Sequence, residues 1–143
     1  MQEQKRLDYD KAFEILLKDG TIYQPPRDAI FDFVEAVLAG KVNKSFDLYD
    51  QCVAIGEAVM VMLTVLYNNA KAVLQVQTCG SKDISKSTGL TGWQIKNAKP
   101  LCGIYTDDEL ITLLQKIQSC EIGIKTGRVD EEFVMEYILT TTL

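Results

Sequence analysis

Any chemistry in this 143-residue chain has to be done without histidine, because the sequence contains none. The commonest general base is therefore missing, and both Ser-His-Asp and Cys-His nucleophilic catalysis are excluded. The four cysteines, Cys52, Cys79, Cys102 and Cys120, include no C-x-x-C pair. A zinc site would have to gather all four thiolates from distant elements. They read instead as reduced, mostly buried thiols of a cytosolic protein. Gly80-Ser81-Lys82 has the ending of a phosphate loop, but Gln75 stands where the first glycine of G-x-x-x-x-G-K is needed. No G-x-G-x-x-G occurs either. The densest acids, Asp107-Asp108-Glu109 and Asp130-Glu131-Glu132, fall at helix starts, where the helix dipole favours them without any catalytic role. The expectation is no catalytic residue, no metal ligand, no cofactor and no small-molecule substrate.

What remains is charge. The net charge of −5 argues weakly against nucleic acid as the main partner. It is unevenly spread, however. Residues 1–70 carry 7 bases and 11 acids, a net of −4; residues 104–143 carry 3 bases and 8 acids, a net of −5. Between them, residues 71–103 carry five lysines and only Asp83, a net of +4. Within this basic island, residues 82–99 read as two short helices meeting at a turn containing Gly89, with Leu90 pointing inward, a helix-turn-helix pattern. Lys82, Lys86, Lys96 and Lys99 could meet phosphates, and Gln94 and Asn97 could read base edges. The plainer reading is a helical corner with a solvated lysine face, anchored in the core by Trp93. No arginine, the usual guanine reader, lies here.

The elements that must position these residues are helical throughout. Length favours one domain, and 47% hydrophobic residues supply enough apolar material for a core. The N-terminus, MQEQKRLDYD, has no signal-peptide apolar region. The longest apolar run, Ala58 to Leu63, is too short to span a membrane. Apolar residues recur at helical spacing almost everywhere. A first helix is predicted from Asp8 to Lys18. Pro25 and Pro26 then make the strongest boundary. A second helix runs from about Asp28 to Ala39, with Ile30, Phe31, Val34, Val37 and Leu38 as its stripe. A third opens at Asn43 or Ser45 and stops before Gly56. The fourth, from about Glu57 to Thr78, is apolar on so much of its surface that it should be the central one. Short helices follow near 81–88 and 91–98. Thr106 with Glu109 forms a capping box for the seventh, lined by Ile111, Leu114, Ile117 and Ile124. Lys125 sits in its last turn and Gly127 just past its end. Asp130 caps the eighth, which runs to about Leu139. The fold class is therefore all-α, a bundle of about seven to eight helices.

The order of residues in three segments adds something the spacing does not. Ile30-Phe-Asp-Phe-Val-Glu-Ala-Val-Leu-Ala-Gly40, Asp83-Ile-Ser-Lys-Ser-Thr-Gly-Leu90 and Glu121-Ile-Gly-Ile-Lys125-Thr-Gly127-Arg-Val-Asp130 resemble the C-terminal, collar-forming domain of the delta subunit of the bacterial DNA polymerase III clamp loader. The third, a closing helical hairpin marked by Glu121, Lys125, Gly127 and Asp130, is the most specific. Glu121 replaces a more usual aspartate, and Gly123 replaces a small helix former. That glycine costs about 1 kcal/mol of helix propensity unless close packing requires it. The resemblance implies a clamp-loader collar-domain-like bundle at residues 29–143, with residues 1–28 as the end of a preceding lid domain or a linker helix. Because a whole delta subunit also has clamp-binding and lid domains, it implies a fragment or a truncated reading frame. It further implies a cytoplasmic bacterial protein that takes part in DNA replication within the polymerase III holoenzyme. It would have no catalysis of its own, would make no membrane contact, and would touch DNA at most weakly. Its partners would be the ATPase and delta-prime subunits, met through the collar. Phe133, Glu136 and Tyr137 on the terminal amphipathic helix are the expected interface residues. The alternative is a small helix-turn-helix regulator that binds DNA through residues 82–99.

Overall fold

The computed structural model describes residues 26–143. The helix expected over Asp8–Lys18, and with it most of the proposed leading segment, lies outside the described residues. From Pro26 onward the chain forms α1 (Pro26–Leu38), α2 (Val42–Ala54), α3 (Val59–Thr78), α4 (Ile84–Thr88) and α5 (Gly92–Ala98). A single 3-10 turn (Lys99–Leu101) then leads to α6 (Asp107–Lys125) and α7 (Glu131–Thr142). The described residues contain no strand, and the all-α bundle expected from the periodicity is what forms.

Local chemistry explains most of the boundaries. Pro26 opens α1, where its missing N–H would have had no helical partner anyway. Thr106 and Glu109 cap α6 reciprocally: Glu109 N donates to Thr106 Oγ1 (3.1 Å) and Thr106 N to Glu109 Oε1 (3.0 Å). Two caps differ from expectation. α2 begins at Val42, and neither Asn43 nor Ser45 caps it; Ser45 is fully buried and its hydroxyl donates back to the Lys41 carbonyl. Asp130 occupies the cap position of α7 in extended geometry, but its side chain makes no cap hydrogen bond. α7 also continues to Thr142, three residues beyond the expected end.

α3 is the centre. Val59, Met62, Leu63, Leu66, Ala70, Ala72, Val73 and Val76 are buried along it, against α1, α5, α6 and α7. By length and composition alone α3 could cross a membrane. Here Val59, Met62, Leu63, Leu66, Ala70, Val73 and Val76 are covered by other helices of the bundle, while Val61 is exposed. Around it lie the fully buried Phe33, Val37, Leu38, Leu110, Leu113, Ile117, Met135, Ile138 and Leu139. Two faces differ from expectation at single positions. In α1 Ile30, Val34, Val37 and Leu38 are buried as expected, but Phe33 joins them and Phe31 is exposed. In α6 Ile117 is buried and Leu114 and Ile124 pack partly, while Leu110 and Leu113 also turn inward and Ile111 is exposed. Polar ties lock the loop before α6 onto this core. Tyr105 Oη donates to the Val37 carbonyl at 2.6 Å, and Gln77 on α3 bonds the Tyr105 carbonyl, the Asp107 carboxylate and the Gly103 N–H.

The α6–α7 hairpin closes through a Schellman arrangement. Arg128 N donates to the Gly123 carbonyl (2.9 Å) and Gly127 N to the Ile124 carbonyl (3.1 Å), with Gly127 at φ 74°. Gly123 is there for space. A Cβ at that position would lie 2.7 Å from Val129 Cγ2 and 3.2 Å from Val129 Cβ. The departure noted in the sequence is therefore a packing requirement.

Gly123→Ala should destabilise by about 1 kcal/mol net, overpacking outweighing the gain in helix propensity. Adding Val129→Ala should recover most of that loss. Urea denaturation of the two variants checks this, and a stabilised Gly123→Ala protein would refute the packing account. A second expectation concerns alkaline pH. Burial, helped by Glu57 and Asp32, pushes the Cys52 thiol from its usual 9.0 up to about 11. An acid whose folded pKa is raised keeps its full stability contribution below its unfolded pKa and loses it as pH rises through the folded one. Stability should thus begin to fall near pH 9, with Tyr49 and Tyr105, both raised from 10.0 chiefly by burial, adding to the loss higher up. Cys52→Ala should lower stability at neutral pH and flatten the first part of this decline in denaturation curves taken across the alkaline range.

Candidate functional site

Phe133 and Tyr137 are four residues apart on α7 and so share one face. Val134, Met135, Ile138 and Leu139 form the opposite, buried face. The two aromatic rings are left 61% and 51% exposed, which is unusual for side chains of that size in a domain with a well-filled core. They do not stand alone. With Val129, Val134 and Cys120 they line an open groove of about 500 Å³ between α7 and α6, whose far wall is Thr112, Gln115, Lys116 and Ser119. Lys116 Nζ is held by the carbonyl and hydroxyl of Thr141, both at 3.0 Å, which ties the end of α7 to α6. Glu136 is exposed beside the aromatic pair. α7 packs against α2, and there the Tyr49 hydroxyl is pushed up by burial first, and then by Asp50, Glu136, Glu131 and Glu132.

The closing-hairpin residues have a different character. Glu121 is half-buried, Lys125 lies in the last turn of α6, Gly127 takes the left-handed turn and Asp130 starts α7. They shape the hairpin that presents Phe133, with Lys125 placed to meet the negative end of the α6 dipole.

The basic corner forms as two short helices. Gly89 turns at φ 75° and Leu90 packs partly inward. Lys82, Lys86, Lys96 and Lys99 are all exposed. Gln94 caps α5, its Oε1 accepting from Thr91 N at 2.9 Å. The expected core anchor is overturned: Trp93 is 71% exposed. Ile95 and Ala98 are the residues of α5 that pack inward, and Trp93, about 200° round the helix from Ile95, must then point out. Opposite it the exposed Phe31 of α1 completes a wider groove of about 830 Å³, floored by Ala72 and Val73 of α3 and edged by Lys96 and Asn97. Sequence reasoning missed this second groove. The signal was there in the closely spaced Phe31 and Phe33, only one of which a helix can turn inward.

Among the described residues no three His, Cys, Asp or Glu side chains gather into a metal-binding group. Cys52 and Cys120 are buried, and the thiols of Cys102 and Cys120 are pushed up by burial, away from thiolate chemistry. Among the described residues the surface carries an apolar groove beside acids and a mixed apolar and polar groove beside lysines.

Similarity to known proteins bears on what such a surface serves. The family described as DNA polymerase III delta subunit, C-terminal domain, matches residues 27–142. The DNA polymerase III subunit delta of Bacillus subtilis (strain 168) is 19% identical over 119 residues, covering 80% of this chain and 34% of that protein. The chain thus spans about a third of the length of this curated relative. The solved Bacillus subtilis DNA clamp loader delta protein superposes with a TM-score of 0.73 at 16% identity, over 87% of this chain and 38% of that one, which shows a shared fold.

Because Trp93 packs against little, Trp93→Ala should change stability by no more than about 0.5 kcal/mol. A buried anchor would cost about 3 kcal/mol or more; thermal melting distinguishes the two.

Proposed function

This chain belongs to the family formed by the C-terminal domains of DNA polymerase III delta subunits, and on that premise we propose that it is a collar domain that helps hold the clamp loader together during DNA replication. The observation that carries this reading is the family match, which runs from the first turn of α1 to the last of α7. Membership in that family supports a place in the polymerase III complex. The finer role is assembly without catalysis, in the cytoplasm, with the ATPase and delta-prime subunits as neighbours. Residues 1–28 would lead in from a preceding lid domain, and residues 29–143 would form the collar unit. Phe133, Glu136 and Tyr137 supply the kind of face such a role needs, exposed aromatics at the centre with charge at the edge.

A second reading is favoured by one observation. Trp93 stands exposed on the same corner as Lys86, Lys96 and Lys99, where lysines could meet phosphates while the ring stacks on a base. It concerns a different face and is compatible with a collar.

Size-exclusion chromatography with light scattering should show this chain co-eluting with the ATPase and delta-prime subunits of the same organism in a complex of defined stoichiometry. A folded protein that elutes alone would count against the collar. Steeply salt-dependent DNA binding that weakens in a Lys86→Gln, Lys96→Gln variant would support the second reading instead.

A further inference from the structure

If α7 meets a neighbour, as a collar domain would require, the charges around its groove say what kind. Phe133 and Tyr137 run along the groove, and the negative charge lies on one side of them. Glu132 and Glu136, also four apart, form the adjacent exposed stripe of α7, and Glu131 and Asp50 extend it toward α2. α7 has no basic residue to offset them. The α6 side of the groove carries no acid. Thr112, Gln115 and Ser119 are uncharged, and Lys116, whose ammonium is bonded to the neutral carbonyl and hydroxyl of Thr141, keeps its positive charge there. Arg128 and Lys125 sit at the hairpin end, before α7 begins.

A trough between two packed helices is filled by a third helix laid along it, which sets apolar side chains between the ridges and places its flanks against the two rims. Resting on the collar reading, we infer that the α6–α7 groove takes an amphipathic helix of a neighbouring subunit, whose apolar stripe covers Phe133 and Tyr137 and whose α2-side flank carries lysine or arginine. The aromatic pair supplies the contact area. The one-sided acidic rim sets the direction in which the helix lies and raises the rate at which it arrives. A second copy of the same groove is a poor occupant, because a two-fold pairing would set Glu132 and Glu136 near their own counterparts.

The test uses this chain together with the other purified clamp-loader subunits, with assembly affinity measured by surface plasmon resonance at about 50 mM and about 500 mM salt. Glu132→Lys with Glu136→Lys should weaken association at least tenfold at low salt, mostly by slowing the on-rate, and the deficit should shrink at high salt. Phe133→Ala with Tyr137→Ala should weaken it at both salts. All four side chains are exposed, so both variants should stay folded, with a small loss of melting temperature where Glu132→Lys puts a cation in the first turn of α7. Wild-type affinity in the charge-reversed protein would overturn the inference while leaving the collar standing. Wild-type affinity in both variants would show that another face makes the contact. A wild-type chain that joins no complex would overturn the collar reading and this inference with it. A homodimer abolished by Phe133→Ala with Tyr137→Ala would assign the groove to a second copy instead.

Discussion

Val59–Thr78 carries apolar side chains over most of its circumference, and a helix so composed has to be covered from several sides at once. α1, α5, α6 and α7 do this, each giving its own apolar stripe to α3. Burial of that kind is favourable by about 25 cal/mol per Å² but has no direction. Direction comes from the few polar ties that reach across it. The Tyr105 hydroxyl on the Val37 carbonyl joins residues 68 apart in sequence, and Gln77 pins the loop that leads into α6. With α6 set against α3, the Schellman turn at Gly123 and Gly127 decides where α7 lies, and hence whether a groove opens beside Phe133.

Local signals in the sequence were uneven. Thr106 with Glu109 caps α6 as residue type suggests, and Gly127 takes the left-handed position just past its end, whereas Ser45 is buried and bonds back to the Lys41 carbonyl and Asp130 makes no cap hydrogen bond. Faces were harder to read. α1 offers Phe31 and Phe33, and α6 offers Leu110, Ile111, Leu113 and Leu114; in each, two adjacent stripes are both apolar enough to be the inner one. The choice between them is made by the partner helix, which periodicity along a single segment does not contain. Trp93 misled for a related reason. Its size argues for burial, but α5 has seven residues and can turn only one side to α3, and Ile95 with Ala98 takes that side.

The same distinction separates the two kinds of residue at the candidate site. Glu121, Lys125, Gly127 and Asp130 are recognisable as a motif because hairpin geometry restricts what can stand there. Phe133 and Tyr137 are expected at an interface from their place on an amphipathic helix; the structure shows why they stay out, because Val134, Met135, Ile138 and Leu139 fill the inward face. Gly123 lies between the categories. Its residue type was legible as a departure, while its reason, the Val129 side chain against it, is a tertiary contact.

Charge segregation along the chain acquires a meaning from this arrangement. The acids of α7 and the lysines of residues 82–99 sit beside different grooves, formed by different helices. Exposed aromatic surface invites association of any kind, since burying it is favourable whatever covers it. A fixed charge beside each patch makes that association selective. On the α7 face, a partner bringing carboxylates meets repulsion before the apolar surfaces can touch, whereas a partner bringing ammonium or guanidinium groups is drawn in. In the proposed assembly, the carboxylates that would recruit a basic neighbour also keep two copies of α7 from pairing with each other. The specificity of the face would then lie in Glu132 and Glu136, and its strength in Phe133 and Tyr137.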